Sequence, residues 1–199
     1  GYIPVTYSIF LKSSVKPGPG WEGKPIDVEV YTKAPEVRLY LNNHFVGTKA
    51  VGKDTEYKAV FKLPYKPGTL RAVAGSRTAS ISTAGKPAHL RLTPDRRVIT
   101  ADGQDLAYIT IEVVDSKGRI CPDAAIPCEA IVKGEGSLLS FASADLRDRE
   151  PYTSPRVTTW KGRAILVVRS TEEKGSIQVS IKSSLPAATI AIQSQTKQN

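Results

Sequence analysis

Apolar and polar residues alternate one for one along most of this chain, and helical periodicity is nearly absent. In the first half the apolar sets are Ile26, Val28, Val30; Val37, Leu39, Leu41; Tyr57, Ala59, Phe61, Leu63; and Leu70, Ala72, Ala74. Successive side chains of a strand point to opposite faces, so each set predicts a strand with one buried side. Asn42-Asn43 stands between two such runs, and Asn tolerates the positive φ that a two-residue hairpin turn requires. Pro64, Pro67 and Gly68 mark the next turn.

The second half uses the same grammar. Leu90 and Leu92 open it, and Ala107, Ile109, Ile111 and Val113 lead into the turn Asp115-Ser116-Lys117-Gly118. Further strands are expected over 164–168, 177–181 and 189–193, and a short one over 157–160 that carries Trp160 into the core. About seven short strands per half, regularly spaced, predict an all-β protein of two tandem Ig-like β-sandwich domains. The small-residue connector Thr83-Ala84-Gly85-Lys86-Pro87 sets the domains at 1–83 and 84–199. Residues 13–25, rich in Pro, Gly and Ser, and the polar stretch 142–155 are expected as loops. Function gathers on long loops of this kind, so 142–155 is the local candidate for a ligand or partner contact.

Composition narrows the classes. Of 199 residues, 40% are hydrophobic and 24% charged, an ordinary globular profile, and no apolar run reaches the ~18 residues of a membrane span. The chain opens on Gly and contains no Met, which points to a processed product or, as the favoured reading, a fragment of a longer protein. The net charge of +9 sits mostly in the first half: residues 1–83 carry 12 Lys and Arg against 6 Asp and Glu, and residues 84–199 carry 16 against 13. Most of these cations alternate with apolar residues, as on a solvated strand face. A polyanionic partner is the alternative. Only Arg96-Arg97 clusters charge, and no recognition helix or RNA-binding aromatic motif appears, so nucleic acid is not expected as a partner.

Catalytic and metal chemistry find no footing. Cys121 and Cys128 lie far in sequence from His44 and His89, without zinc-ligand spacing. Cys128 falls on the inward side of the run Ile126, Cys128, Ala130, Val132, which reads as a buried thiol. A disulfide with Cys121 is the reading open in an oxidising compartment. Glycoside cleavage needs two carboxyl groups across a cleft, whereas Asp102, Asp105 and Glu172-Glu173 sit in turns, where carboxylates serve backbone donors. Asp102 and Asp105 alone are too few oxygen ligands for a calcium loop. Gly134-Glu135-Gly136 has no Lys-Ser/Thr after it, so it is no phosphate loop. No catalytic, cofactor-binding or metal residue is assigned. Sugar rings stack on exposed aromatics, and Trp21, Tyr152 and Asp145 are the candidate carbohydrate contacts, with Tyr152 the most exposed of them.

Five segments carry a resemblance. They are PGWEGKPIDVEVYTK (Pro19–Lys33), VRLYLN (Val37–Asn42), LPYKPGTLRAVA (Leu63–Ala74), the run from Thr83 to Arg119 and KGRAILVVRS (Lys161–Ser170). The first three resemble the Ig-like domain that follows the catalytic barrel in bacterial family 2 glycoside hydrolases of the β-galactosidase type. The last two resemble the next C-terminal sandwich of the same enzymes. Relatives carry Asn-Gly where this chain has Asn42-Asn43, and a Gly- and Asn-rich loop where it reads Phe141 to Asp145.

The resemblance implies a non-catalytic C-terminal pair that packs against and supports the catalytic barrel of the same polypeptide. It also implies a periplasmic or secreted parent that degrades carbohydrate, with a glycan as a second candidate partner. A carbohydrate-binding module and an adhesin-like spacer are the alternatives.

Overall fold

A computed structural model of the chain describes residues 9–13, 21–145, 147–148 and 150–196. The chain divides into two compact units, Gly1–Thr83 and Ala84–Asn199, each with two sheets around its own apolar core. Among the described residues regular structure is all strand, apart from a three-residue 3-10 turn at Lys53–Thr55.

The first unit holds β1 (Ile9–Ser13), β2 (Pro25–Thr32), β3 (Glu36–Leu41), β4 (His44–Ala50), β5 (Lys58–Pro64), β6 (Thr69–Ala74) and β7 (Arg77–Ser82). One sheet has the order β1-β2-β5 and the other β4-β3-β6-β7, every pairing antiparallel. The chain therefore changes sheet between β2 and β3, between β4 and β5 and again between β5 and β6. The core is the alternating set read from the sequence: Ile26, Val28, Val30, Val37, Leu39, Ala59, Phe61, Leu63, Leu70, Ala72 and Ala74 are buried, with Leu41 partly buried beside them. A fully enclosed leucine such as Leu39 is worth about 2–5 kcal/mol against alanine. Of the loop expected over 13–25, residues 14–20 lie outside the described residues, Ser13 closes β1 and Pro25 opens β2. The sequence pattern had not marked β1.

Tyr57 departs from expectation. Its alternation with Ala59 places it inward on a strand, yet β5 begins only at Lys58 and the Tyr57 side chain is exposed. Glu56 and Tyr57 both adopt positive φ, 52° and 58°, after the 3-10 turn, and the Tyr57 N–H bonds back to the Gly52 carbonyl at 2.9 Å. The chain is still turning at that point, so the period-two rule has not started to apply.

The second unit holds β8 (His89–Pro94), β9 (Val98–Thr100), β10 (Leu106–Val114), β11 (Pro127–Gly134), β12 (Gly136–Ser143), β13 (Arg156–Thr158), β14 (Arg163–Ser170), β15 (Gly175–Lys182) and β16 (Ala188–Gln195). Its sheets have the orders β12-β14-β10-β8 and β13-β11-β15-β16-β9, with β9–β16 the parallel pair. Inward residues of both sheets, among them Ile109, Ile111, Phe141, Leu166, Val168, Ile177, Val179, Ile181 and Ile192, close one core.

Gly134 and Gly136 flank the corner where the chain leaves the five-stranded sheet for the four-stranded one. Gly134 has φ of 87°, and a Cβ there would run into the Ser176 carbonyl oxygen, so the glycine is a packing requirement and not part of a phosphate cradle. The polar connection is shorter than expected, because Ala142 and Ser143 still belong to β12. Trp160 is also misplaced by the sequence reading. Val157 and Thr159 are buried, so the two-residue period turns Thr158 and Trp160 outward, and Trp160 is only half-buried beyond the end of β13.

Candidate functional site

The connection from β12 to β13 crosses from one sheet of the second unit to the other, and its polar side chains fold back on it. The Ser143 hydroxyl donates to Asp148 at 2.8 Å and accepts the Asp145 N–H at 3.2 Å. Arg147 grips Asp145 with two prongs, Nε to Oδ1 at 2.9 Å and Nη2 to Oδ2 at 3.1 Å. The hydrogen bonds from Arg147 hold the Asp145 carboxyl below the usual carboxylate range, and the same pair raises the guanidinium. The Arg147 guanidinium also lies 4.8 Å from the centroid of the Trp160 ring, with the Lys161 ammonium at 5.6 Å, a cation–π arrangement. Lys161 and Gly162, with φ of 50° and 71°, form the tight turn that carries Trp160 back into β14.

Of the three candidate sugar contacts, Asp145 and Tyr152 share this connection. Tyr152 is 64% exposed, and its carbonyl accepts the Phe141 N–H at 2.7 Å, which pins the base of the loop to β12. The Asp145 carboxylate is committed to the guanidinium and the backbone N–H of Arg147. Trp21 belongs to the first unit, where it packs half-buried against the core end with the Lys24 ammonium 5.2 Å from its ring. Arg147 and Lys161 were not singled out from the sequence. The signal that could have found Lys161 is the dipeptide Lys161-Gly162 directly after Trp160, a positive-φ turn that brings Lys161 to the ring.

The turn carboxylates behave as caps. Asp102 accepts the Gln104 and Asp105 amides, and Asp105 accepts those of Thr100 and Leu106, and these bonds lower both carboxyl pKa values. Asp115 is only 1% exposed and takes the N–H groups of Gly85, Lys117 and Arg119 together with the Arg119 guanidinium. The Gly85 amide is the largest of the influences that hold its carboxyl far below the usual range. Cys121 and Cys128 are both free and buried; burial pushes the Cys128 thiol up to about 11 and raises Cys121 as well. Of the two readings open for these cysteines, the thiol holds. Among the described residues no group of three or more His, Cys, Asp and Glu is placed to hold a metal ion, and no helix is long and apolar enough to cross a membrane.

Two β-sandwiches in tandem, built of antiparallel strands with one parallel pair among the described residues, define the class of protein. Residues 90–191 match the family model of glycoside hydrolase family 2 C-terminal domain 5, and the chain belongs to that family. Residues 23–80 match a domain of unknown function (DUF4982).

The chain is 33% identical over 174 residues to a β-galactosidase of Bacteroides ovatus, covering 83% of this chain and 20% of that protein. It is 27% identical over 192 residues to a β-galactosidase of Thermoanaerobacter pseudethanolicus, 84% of this chain and 24% of the other. The crystal structure of a glycosyl hydrolase family 2 member from Bacteroides cellulosilyticus superposes with a TM-score of 0.87 at 35% identity, over 90% of this chain and 24% of its own. The chain thus spans a fifth to a quarter of the length of these relatives.

Proposed function

We propose that this chain is the non-catalytic C-terminal module pair of a β-galactosidase-like glycoside hydrolase, two Ig-like sandwiches that pack against and support the catalytic barrel of the same polypeptide. One observation carries the reading: the match to C-terminal domain 5 of family 2 coincides with a chain that covers only a fifth to a quarter of relatives named β-galactosidase. The disposition of the carboxylates agrees with it. Asp102, Asp105 and Asp115 are bound to local amides, and Asp145 is locked to Arg147. None of these four is held ready to protonate or attack a glycosidic bond in the way a glycosidase pair must be.

The parent enzyme removes a β-linked sugar from a glycan and acts in the periplasm or outside the cell. The test compares an aryl β-galactoside incubated with this chain and with the full-length polypeptide. Hydrolysis by the full-length protein and none above buffer by the chain is the expected result; turnover by the chain alone overturns the reading. Glycan contact is a second reading for the loop, favoured by the exposure of Tyr152. Titration with millimolar galactosides, wild type against Tyr152→Ala and Trp21→Ala, decides it.

A further inference from the structure

The second unit has two outer sheet faces, and they are chemically unlike. On the five-stranded sheet β15 and β16 turn mostly polar residues outward, among them Gln178, Ser180, Lys182, Thr189, Gln193 and Gln195, a solvated face. On the four-stranded sheet the two central strands point apolar residues outward. Tyr108 on β10 is 42% exposed and Ile165 on β14 is 40% exposed. Val167 stands directly opposite Tyr108 in the β10–β14 register and is only 8% exposed, so neighbouring side chains already cover it. A bulge between Leu138 and Ser140 on β12 adds Leu139, 36% exposed. Together with the exposed Thr110, which stands opposite Ile165, these residues lie at the centre of the sheet, where a solvated face would carry mostly polar ones.

The rim of this patch is charged and mostly paired, with the exposed Arg169 of β14 the cation that makes no ion pair among the described residues. Glu112 accepts Arg91 at 2.7 Å and Arg163 at 3.3 Å across three adjacent strands, and Arg96 pairs with Asp95 at 3.3 Å. Apart from Arg169, such a surface offers little free charge to a polyanion. A mainly apolar centre with a polar, largely paired rim is the anatomy of a protein–protein interface.

We infer that the outer face of β10 and β14, centred on Tyr108, Val167 and Ile165, docks an apolar, charge-poor protein surface from the remainder of the family 2 polypeptide. The inference rests on the proposed role as a supporting module, and two observations name the occupant. Relatives have four-fifths to three-quarters of their length outside the region this chain covers, and a rim paired except at Arg169 favours a mainly apolar protein face over a charged ligand.

Hydroxyl-radical footprinting tests it, comparing this chain alone with the full-length polypeptide. Tyr108 and Leu139 are expected to be labelled in the chain alone and to lose that labelling in the full-length protein, while Gln178→Tyr, a probe placed on the polar face, stays labelled in both. The double variant Tyr108→Lys/Ile165→Lys in the full-length protein is expected to lower its melting temperature, and Gln178→Lys/Gln193→Lys to leave it unchanged. Equal labelling of Tyr108 in both contexts overturns the inference. Concentration-dependent protection of Tyr108 in the chain alone overturns it too, because the occupant is then a second copy. Deleting residues 1–199 from the full-length protein separates the two levels: an unchanged melting temperature for the remainder sinks the supporting role itself, whereas destabilisation with Tyr108 still labelled sinks only the choice of face.

Discussion

The Asn42 side chain occupies the space where a Cβ on Gly68 would stand. Its Oδ1 accepts the Thr69 N–H at 2.8 Å and its Nδ2 donates to the Pro67 carbonyl at 3.1 Å, so one amide ties the β3–β4 hairpin to the β5–β6 turn across Gly68. Asn42 itself holds φ of 50° and Gly68 φ of 145°. The two residues are one device: the turn needs the amide, and the amide needs the missing Cβ.

Gly68→Ala therefore meets two penalties, a backbone region that L-residues avoid and a collision with Asn42. A strained φ of this kind costs about 1–3 kcal/mol. Asn42→Ala removes two exposed hydrogen bonds and costs about 1 kcal/mol, because water replaces much of what is lost. The pair is expected to be non-additive: once Asn42 is alanine the collision is gone, and Gly68→Ala costs less than in the wild type. Urea unfolding of the two single variants and the double variant measures this, and strict additivity contradicts it.

Asp115 makes the second unit sensitive to acid. Its carboxyl pKa in the fold lies far below the unfolded value of about 3.9, so the folded state favours the ionised form. The stability it contributes is fully present above about pH 4 and is lost as the pH falls toward the folded pKa. The lowered carboxyls of Asp102, Asp105 and Asp145 act with the same sign. Asp115→Asn keeps the shape but sets an NH2 among donors at a site that binds Gly85 and Arg119. We expect the variant to be less stable at pH 7 and to lose less on going from pH 5 to pH 3, followed by chemical denaturation. Parallel pH profiles for wild type and variant would contradict the assignment.

Much of this architecture is written in the alternation, and the exceptions have physical causes. Ile26 to Val30 and Ala107 to Val113 show the pattern of one buried face plainly, and Asn42-Asn43 gives its turn through two positive φ values. Tyr57 defeats the rule because the chain is still in a left-handed turn there. Trp160 defeats it through the assumption that a large aromatic seeks the core, when the register from Val157 and Thr159 turns it outward onto Arg147 and Lys161. The docking face was hidden for a related reason. Ala164 to Val168 is an unbroken apolar run, which reads as a strand buried on both sides, and only the fold separates enclosed Leu166 and Val168 from outward Ile165. The pairing of Asp145 with Arg147 depends on how the loop folds back, and no periodicity encodes that.

The two thiols give a direct check on burial. Cys128 is enclosed, with its pKa pushed up to about 11, and Cys121 is buried with its sulfur toward the Gly85 carbonyl at 3.5 Å. Thiolate is the reactive form, so neither cysteine is expected to react with a disulfide reagent at pH 8 in the folded protein. Both should react on unfolding in urea. A fast-reacting thiol in the native protein, or none after unfolding, would contradict the placement.

Tyr152 and Trp160 sit on the same side of the same question and should separate cleanly. Tyr152 is 64% exposed, and the hydrogen bond it accepts from the Phe141 N–H is made by its backbone carbonyl, so Tyr152→Ala is expected to change stability by less than about 0.5 kcal/mol. Trp160→Ala removes the ring under the Arg147 guanidinium and near the Lys161 ammonium, worth about 0.5–1 kcal/mol for an exposed cation–π contact and more for the half-buried ring itself. Arg147 would then hold Asp145 with less support, and the loop should open to proteases while the sheets stay intact. Thermal unfolding and limited proteolysis of the two variants read the difference. Because Tyr152→Ala leaves the fold as it is, a loss of galactoside binding in that variant reports the contact itself, whereas the same loss in Trp160→Ala reports the loop.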